Sequence, residues 1–156
     1  MSCHLEPVSR AAARPLSVLH GVCFPEDPWD LVAITEIMRI PGFFGQIAWE
    51  KEELAGFALA LDLGRECEIL ALGVVPEQRR AGTGGALLGS ICLVARLRGA
   101  EWVTLEVADD NAAARALYAK QGFTVIGRRQ DYYRRARNVI DALILRRPLV
   151  TAALAT

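Results

Sequence analysis

The sequence predicts a three-layer α/β/α fold built on a mixed, mainly antiparallel sheet. Apolar residues alternate at strand spacing in three consecutive segments, 43–50, 54–63 and 67–75. The links between these segments, KEE and GRE, are short, and such links join antiparallel neighbours in hairpins. Segments with helical spacing precede and follow the three strands, which favours helices on both faces of one sheet.

The size and charge of the chain limit its function classes. At 156 residues it has the length of one domain, and we expect a single domain over 1–156 with a core at about 14–149. The formal net charge is zero, so we expect neither nucleic acid nor a membrane as a direct partner. The N-terminal segment has an acid and a proline where a signal peptide needs an apolar run, so we expect a cytoplasmic protein.

Metal binding is not expected from the cysteines and histidines. The four cysteines, Cys3, Cys23, Cys67 and Cys92, are far apart, and none has the short spacing of a zinc site. We interpret them as reduced, mostly buried thiols. The two histidines stand apart from any carboxylate or cysteine cluster, so the sequence predicts no metal site.

Two helices are predicted before the first of these strands. Segment 15–24 has apolar positions at helical spacing after a proline suited to a first turn. Segment 27–40 follows, with Asp27 as the expected N-cap and Pro28 at the first helical position. The Pro-Gly pair that comes next ends this helix.

Helices and strands alternate after the third strand. The predicted elements, in order, are a helix at 85–99, a strand at 101–108, a helix at 109–123, and strands at 124–133 and 139–149 around a basic turn. The helix at 85–99 is expected to stop at Gly99. The helix at 109–123 has Asp110 or Asn111 as its cap and ends at Gly122.

A glycine-rich segment, RRAGTGG at 79–85, lies between the third strand and the next helix. Unpaired N–H groups at the positive end of a helix form an anion site, and phosphate is the expected anion. The segment lacks the lysine of a P-loop, and the hairpin-linked strands before it do not suit a dinucleotide-binding fold. Close packing at a helix start would also explain the glycines, so both interpretations stay open at this point.

Two motifs resemble one enzyme family. The pattern Arg-x-x-Gly-x-Gly at 79–84 resembles the acetyl-CoA pyrophosphate loop of the GNAT N-acetyltransferases, and LEVADDNAAARALYAKQGF at 105–123 resembles the strand and helix that follow this loop. The resemblance extends over about 16–149. It is closest to the RimI branch, which acetylates the N-terminal alanine of a small-ribosomal-subunit protein. The stretches HGVCFPEDPW, ILALGVVPEQRRAGTG and RRQDYYRR followed by DALIL carry this closer likeness.

The resemblance implies the acyl-CoA N-acyltransferase fold, with acetyl-CoA as cosubstrate. It implies a bulged strand whose main chain pairs with the pantetheine arm, and a loop whose amides and arginines hold the pyrophosphate. The strands at 67–75 and 101–107 should lie parallel and splay to admit the cofactor. The implied cofactor-binding residues are Leu72, Val74, Arg79, Arg80, Gly82, Thr83, Gly84, Asn111 and Tyr118.

Glu106 is the candidate general base. It lies in the apolar strand WVTLEV, where a carboxylate is costly unless it is solvated or paired. A glutamate that faces solvent or pairs with an arginine would have the same sequence signature. The resemblance implies the role of base.

Tyr118 is the candidate general acid for the CoA thiolate, and Asn111 is a candidate contact of the cofactor arm. The two residues are seven positions apart, which is two helical turns, so both side chains fall on one face. A core tyrosine and a helix cap are the alternatives from the residues alone. The resemblance implies the two site roles.

The acceptor amine is less closely defined. An α-amino group has a pKa of about 7.7–8 and lysine one of about 10.4, so a single glutamate base suits an N-terminal amine. The expected partner is a protein N-terminal peptide, by resemblance that of a ribosomal protein. The candidate substrate-binding residues are Phe24, Trp29, Glu106, Tyr132 and Tyr133. Phe24 and Trp29 would equally serve to hold the first helices to the sheet, and the Arg-rich turn at 128–137 would equally form a solvated edge.

Three functions fit the sequence. The prediction is a RimI-type protein α-N-acetyltransferase, in which the amine attacks the thioester directly. The alternatives are a GNAT enzyme for a small amine or a lysine side chain, and a non-catalytic acyl-CoA-binding regulatory module. Replacing Glu106 by Gln separates the regulatory module from the two enzymes. An enzyme should lose much of its rate and still bind acetyl-CoA, whereas a module should keep its function.

Overall fold

The computed structural model describes residues 3–134 and 137–150, which form a mixed α/β fold. The strands are β1 (Cys3–Pro7), β2 (Phe43–Glu50), β3 (Glu53–Asp62), β4 (Glu66–Val74), β5 (Trp102–Ala108), β6 (Thr124–Arg134) and β7 (Val139–Pro148). The helices are α1 (Ala13–Cys23), α2 (Leu31–Met38), α3 (Thr83–Leu97) and α4 (Ala112–Lys120). Within these residues, no helix has both the length and the hydropathy needed to cross a membrane.

One seven-stranded sheet organises the chain, in the order β1-β2-β3-β4-β5-β7-β6. Hairpins join β2, β3 and β4, as the short links predict. The central strands β4 and β5 are parallel with α3 as their crossover, and the other neighbouring pairs are antiparallel. A parallel pair therefore joins two antiparallel parts, which confirms the mixed, mainly antiparallel sheet.

The apolar core covers both faces of β3. Leu16 of α1 and Ile34 of α2 pack with Phe57 on one face. Leu87 and Ile91 of α3 belong to the cluster on the other face. All five residues are 1% exposed or less, so the helices bury apolar surface on both sides of the same strand. This gives the three layers that the sequence predicts.

The start of α2 differs from the prediction. Asp30 is the N-cap, and its side chain accepts a hydrogen bond from Ala33 N at 2.9 Å. The expected cap, Asp27, lies before the helix. The physical reason is a tertiary contact, because Trp29 N donates to His20 Nδ1 at 2.9 Å and holds this part of the chain against α1.

Sequence patterning does not indicate β1, the five-residue strand at one edge of the sheet. It pairs antiparallel with β2, with Leu5 opposite Ala48. Trp49 Nε1 donates to Glu6 Oε1 at 2.6 Å and adds a side-chain contact to this pair. A segment this short, ending in Pro7, has too few alternating residues for its periodicity to stand out.

Candidate active site

The parallel strands β4 and β5 separate after a short stretch of pairing. Glu66–Glu68 pair with Trp102–Thr104, and no ladder joins the two strands beyond Glu68 and Thr104. This confirms the expected splay. The facing edges of both strands are therefore free of a strand partner beyond this point, and the opening, called the split below, lies beside the loop that leads into α3.

A β-bulge lies in β4 at the split. Opposite Leu59 and Ala60 of β3, β4 has one residue too many, and Leu70 is the extra residue. After the bulge, Leu72 and Val74 pack against the apolar cluster beneath α3. The resemblance implies a bulge in this strand, and the strand has one. The main-chain contacts of Leu72 and Val74 with a cofactor stay a prediction.

Glu106 and Tyr118 lie on opposite faces of the sheet at the split. Leu105 and Val107, the neighbours of Glu106 in β5, belong to the cluster beneath α3, and Tyr118 belongs to the same cluster. Because side chains alternate along a strand, Glu106 points to the other face. A group that lay between β4 and β5 would therefore have the carboxylate on one side and the phenol on the other.

Glu106 is an ion-paired carboxylate. Its Oε1 lies 3.0 Å from Arg129 Nε of β6 in an ion pair, and the glutamate side chain is 28% exposed. Glu68 lies on the same face, where burial raises the pKa of its carboxyl and the charges of Glu66 and Glu106 raise it further. Pairing with an arginine is one of the alternatives that the sequence leaves open. It is compatible with a base, and that role stays a prediction.

Tyr118 is a buried phenol. The residue is 6% exposed, and its ring packs edge-to-face on Phe123 with 5.9 Å between the ring centroids. Burial raises the pKa of Tyr118 to about 12, and Tyr133 of β6 adds to this shift. The hydroxyl is therefore protonated at neutral pH, as a proton donor requires.

The loop between β4 and α3 has the backbone of an anion site. Gly82, the N-cap residue of α3, has a φ of 89°, and Arg80 has a φ of 67°. These two left-handed residues turn the chain sharply into α3, whose first amides have no helical partners, as at any helix start. Arg79 stays close to this loop, since its Nε donates to Val74 O at 2.9 Å. The conformation of Gly82 explains why a glycine stands there.

The second glycine of the motif has a different reason for its identity. A Cβ at Gly84 would lie 3.1 Å from Leu117 Cδ2, so this glycine allows α3 to lie close to α4. Of the two interpretations that the sequence leaves open, close packing therefore holds at Gly84. Its contact with a phosphate stays a prediction.

The residues around the split fit a bound acetyl-CoA. Thr83 is 1% exposed and its Oγ1 has no hydrogen-bond partner, which is unusual for a buried hydroxyl. This orphaned group lies in the first turn of α3, next to amides that also lack helical partners. The unpaired edge of β4 beyond Glu68 supplies main-chain groups for an extended arm. An anionic, extended ligand would satisfy both sets of groups.

Asn111 caps α4. Its Oδ1 accepts from Ala114 N at 3.1 Å, so the helix-cap alternative holds. The side-chain amide nitrogen is not used in this bond and can still donate to another group. Contact between Asn111 and the cofactor arm stays a prediction.

An aromatic cluster of His20, Phe24, Trp29 and Phe57 joins the first helices to the sheet. The His20 ring stacks on Trp29 with 4.4 Å between centroids, and it lies 4.8 Å from Phe24 and 5.7 Å from Phe57. Burial lowers the pKa of His20, which favours the neutral imidazole that accepts from Trp29 N. The structural alternative for Phe24 and Trp29 therefore holds, and their contact with a substrate stays a prediction.

A wide bulge shapes β6 opposite the split. Between Arg129 and Tyr133, β6 has three residues where β7 has only Asp141. Asp131 has a φ of 52°, and its N–H donates to Asp141 Oδ1 at 2.8 Å. Tyr132 and Tyr133 contact each other edge-to-face with 5.1 Å between centroids. Tyr132 lies next to Arg129, and the contact of both tyrosines with a substrate stays a prediction.

Arg128 joins three elements beside the split, which the sequence reasoning missed. Its Nη1 donates to Asp109 Oδ2 and to Asp141 Oδ2, each at 2.8 Å. Arg115 of α4 donates to Asp109 Oδ1 at 3.1 Å. Asp109 lies in the LEV stretch and Asp141 begins the DALIL stretch, so these two motifs contained the signal that could have identified the contact. Residues 135–136 of the Arg-rich turn lie outside the described residues.

Comparison with known proteins identifies the family of this chain. The model of the acetyltransferase (GNAT) family matches residues 11–123. N-alpha-acetyltransferase RimI of Mycobacterium tuberculosis is 35% identical over 144 residues, which cover 86% of this chain and 89% of that protein. The ribosomal protein bS18-alanine N-acetyltransferase of Salmonella typhimurium is 34% identical over 98 residues, 63% of this chain and 66% of that protein.

Solved structures show the same fold. The crystal structure of the ribosomal-protein-S18-alanine N-acetyltransferase from Escherichia coli aligns with a TM-score of 0.89 and 24% identity, covering 96% of each chain. The family match spans more than half of the chain and includes the loop, Glu106 and Tyr118. The chain therefore belongs to the GNAT family and is an acetyl-CoA-dependent N-acetyltransferase.

Proposed function

We propose that this enzyme acetylates a protein N-terminal α-amine, and that its acceptor is the N-terminal alanine of ribosomal protein bS18. The observation that carries the proposal is the split between β4 and β5, with the carboxylate of Glu106 on one face of the sheet and the protonated phenol of Tyr118 on the other. The RimI of Mycobacterium tuberculosis and the bS18-alanine N-acetyltransferase of Salmonella typhimurium, both more than 30% identical over the aligned regions, support this acceptor class.

The chain supplies a cradle for the acyl donor. Acetyl-CoA supplies an activated acetyl thioester when it is bound. The first amides of α3 would hold the pyrophosphate because they have no helical partners, and the two arginines of the loop would add positive charge. The unpaired edge of β4 would hold the pantetheine arm. The residues assigned to these contacts are Leu72, Val74, Arg79, Arg80, Gly82, Thr83, Gly84, Asn111 and Tyr118.

Two side chains move the protons of the reaction. Glu106 takes a proton from the acceptor ammonium, so that the neutral nitrogen forms the new N–C bond as the C–S bond breaks. Tyr118 donates its hydroxyl proton to the departing sulfur, and the second proton that the nitrogen loses on becoming an amide restores the phenol by way of solvent. The raised pKa of Tyr118 keeps the hydroxyl protonated at neutral pH until the C–S bond breaks. Phe24, Trp29, Tyr132 and Tyr133 would flank the peptide on the face of Glu106.

An α-amine suits this pair of groups better than lysine. Removing the proton from a lysine ammonium at neutral pH costs roughly 3–4 kcal/mol more than from an α-ammonium, because the two pKa values differ by about 2.5. Glu106 is the carboxylate assigned to meet that cost. The α-amine is therefore the expected nucleophile.

The test compares two acceptor peptides at saturating acetyl-CoA. One carries the N-terminal sequence of the organism's own bS18 with a free α-amine, and the other has the α-amine blocked and a lysine free. We expect transfer to the first peptide only. Transfer to the lysine peptide alone, or to small amines in preference to both, would overturn the proposal.

Substitution of Tyr118 tests the assigned proton donor. Tyr118→Phe removes the hydroxyl and keeps the ring against Phe123, so folding should be preserved. Since general acid catalysis contributes about 10²–10⁴-fold, we expect kcat to fall by at least about 100-fold while acetyl-CoA still binds. Equal loss of acetyl-CoA affinity and rate would instead assign Tyr118 to binding alone.

A further inference from the structure

Arg129 pairs with Glu106, the carboxylate that the proposed mechanism uses as its base. Its Nε lies 3.0 Å from Glu106 Oε1 in an ion pair, and its side chain is 53% exposed. Its Cζ also lies 5.0 Å from the ring centroid of Tyr132, in a cation–π contact. The guanidinium thus lies between the carboxylate and an exposed aromatic ring, on the face where the acceptor amine would arrive.

The backbone next to Arg129 is fixed, whereas its side chain is not. Asp131 N donates to Asp141 Oδ1 at 2.8 Å, and Arg128 Nη1 donates to Asp141 Oδ2 at 2.8 Å. These bonds anchor the β6 bulge that follows Arg129. The guanidinium itself is half exposed, so it can leave Glu106 without disturbing packed groups.

The charges around Glu106 come from two neighbouring strands. Glu66 and Glu68 face it from β4, and Arg129 faces it from β6. The residue opposite Glu106 on β7 is the apolar Ile144. Arg129 is therefore the cation in direct contact with Glu106 among the described residues, and Glu66 and Glu68 add negative charge near it.

We propose that Arg129 is a displaceable counter-ion that selects the acceptor, an inference that rests on the proposed α-amine acetyltransferase activity. In the free enzyme its guanidinium holds the place of the acceptor ammonium at Oε1 of Glu106. An α-ammonium is compact and carries three N–H donors, so it can take the place of the guanidinium in this ion pair. A blocked N-terminus has no such cation and leaves Arg129 in place.

Displacement also assists the proton transfer. Once the ammonium lies at Glu106, Arg129 remains a second cation close by, held over Tyr132. A like charge disfavours the protonated form of an amine, so the ammonium loses its proton to Glu106 more readily. Arg129 is thus a specificity and positioning residue, while the proton itself moves between the acceptor nitrogen and Glu106.

Steady-state kinetics with the free α-amine peptide test this role. Since exposed ion pairs compete weakly, we expect Arg129→Gln to lower the KM for the peptide by about two- to fivefold. Arg129→Lys retains the charge and should stay within about twofold of the wild type. Arg134→Gln is the matched control, because it removes the same charge from an exposed residue of the same strand. It should leave both kcat and KM unchanged.

A second readout follows Arg129 directly. In the complex with CoA, the chemical shift of the Nε–H signal of Arg129 in a nitrogen–proton NMR spectrum should reflect its ion pair with Glu106. Glu106→Gln should change this shift, and so should the free α-amine peptide. The α-amine-blocked peptide should leave it unchanged. These results would establish that the ammonium takes the place of the guanidinium.

The outcomes separate this inference from the proposed function. If the wild type transfers acetyl to the α-amine, but Arg129→Gln leaves the peptide KM unchanged or raises it, the inference is overturned and the function stands. An Arg129 signal that the free peptide does not move has the same meaning. If the wild type transfers nothing to an α-amine and the peptide does not move the signal, both are overturned.

Discussion

β3 and β6 belong to the same sheet, yet their surroundings are opposite. β3 is buried continuously from Ala55 to Ala60, whereas β6 has no buried residue along its length. The first strand is held by apolar packing from helices on both faces. The second is held by the ladder with β7 and by charge pairs such as Arg128 with Asp141. The centre of the sheet at β3 therefore provides stability, whereas its edge at β6 exposes polar groups.

Glu106→Gln is the substitution from which we expect the largest effect. We expect kcat to fall by about 100- to 10,000-fold, the usual contribution of a general base, with stability nearly unchanged. The matched control is Glu53→Gln, an exposed glutamate at the start of β3 that should leave the rate unchanged. Initial rates and calorimetric acetyl-CoA binding provide the measurements. A variant that kept more than a tenth of the rate would contradict the assignment.

Phe57→Ala should have the opposite result, a loss of stability with little change in kcat. Phe57 is 0% exposed, so removing its ring leaves a cavity and should lower the free energy of unfolding by about 3–5 kcal/mol. Phe57→Leu is the milder variant, expected to cost less than about 1.5 kcal/mol. Urea denaturation measures both, and kcat of the folded fraction should stay close to the wild type. A large loss of rate without loss of stability would break the division between β3 and β6.

A pair of glycine substitutions separates backbone strain from cofactor binding. Gly82 in the loop has a φ of 89°, and Gly64 in the β3–β4 hairpin has a φ of 95° with open space around it. Alanine should cost about 1–2 kcal/mol of stability at either position. We expect only Gly82→Ala to raise the KM for acetyl-CoA, measured from initial rates. An equal rise in both variants would show that the effect comes from strain alone.

The smallest expected effect is a pH dependence of stability. Burial lowers the pKa of His20, so the unfolded chain takes up this proton at a higher pH than the folded one. Stability from His20 is therefore complete above about pH 6.5 and decreases below it, by at most about 1.4 kcal/mol per pH unit. His20→Gln should remove this component from urea midpoints measured between pH 7.5 and 5.5. His4→Gln, at an exposed position of β1, should not.

Helix stops and hairpins were predictable because their causes are local. Gly99 and Gly122 were the expected stops of α3 and α4, and they have φ values of 93° and 91° that favour glycine. Asn111 was one of two candidate caps, and its side chain caps α4. Each of these signals involves residues within one helical turn of each other. A single sequence therefore contains the information.

Contacts between distant segments were not predictable in the same way. Asp27 and Asp30 are both good caps in isolation, and the bond from Trp29 N to His20 decides between them. The strand β1 depends on its pairing with β2, more than 35 residues later. Gly84 looked like a ligand-binding glycine, but it also makes room for Leu117. In each case a partner far along the chain determines the outcome.

Local patterns in the sequence predict the hairpins, the helix periodicities, the glycine loop and the family motifs that contain Glu106 and Tyr118. Tertiary packing, in contrast, fixes the point where β4 and β5 separate, at Glu68 and Thr104, so that the two side chains lie on opposite faces of an opening. It also decided that Arg129 is the partner of Glu106. These features depend on strand order and on the β6 bulge, which bring together residues that no spacing rule relates.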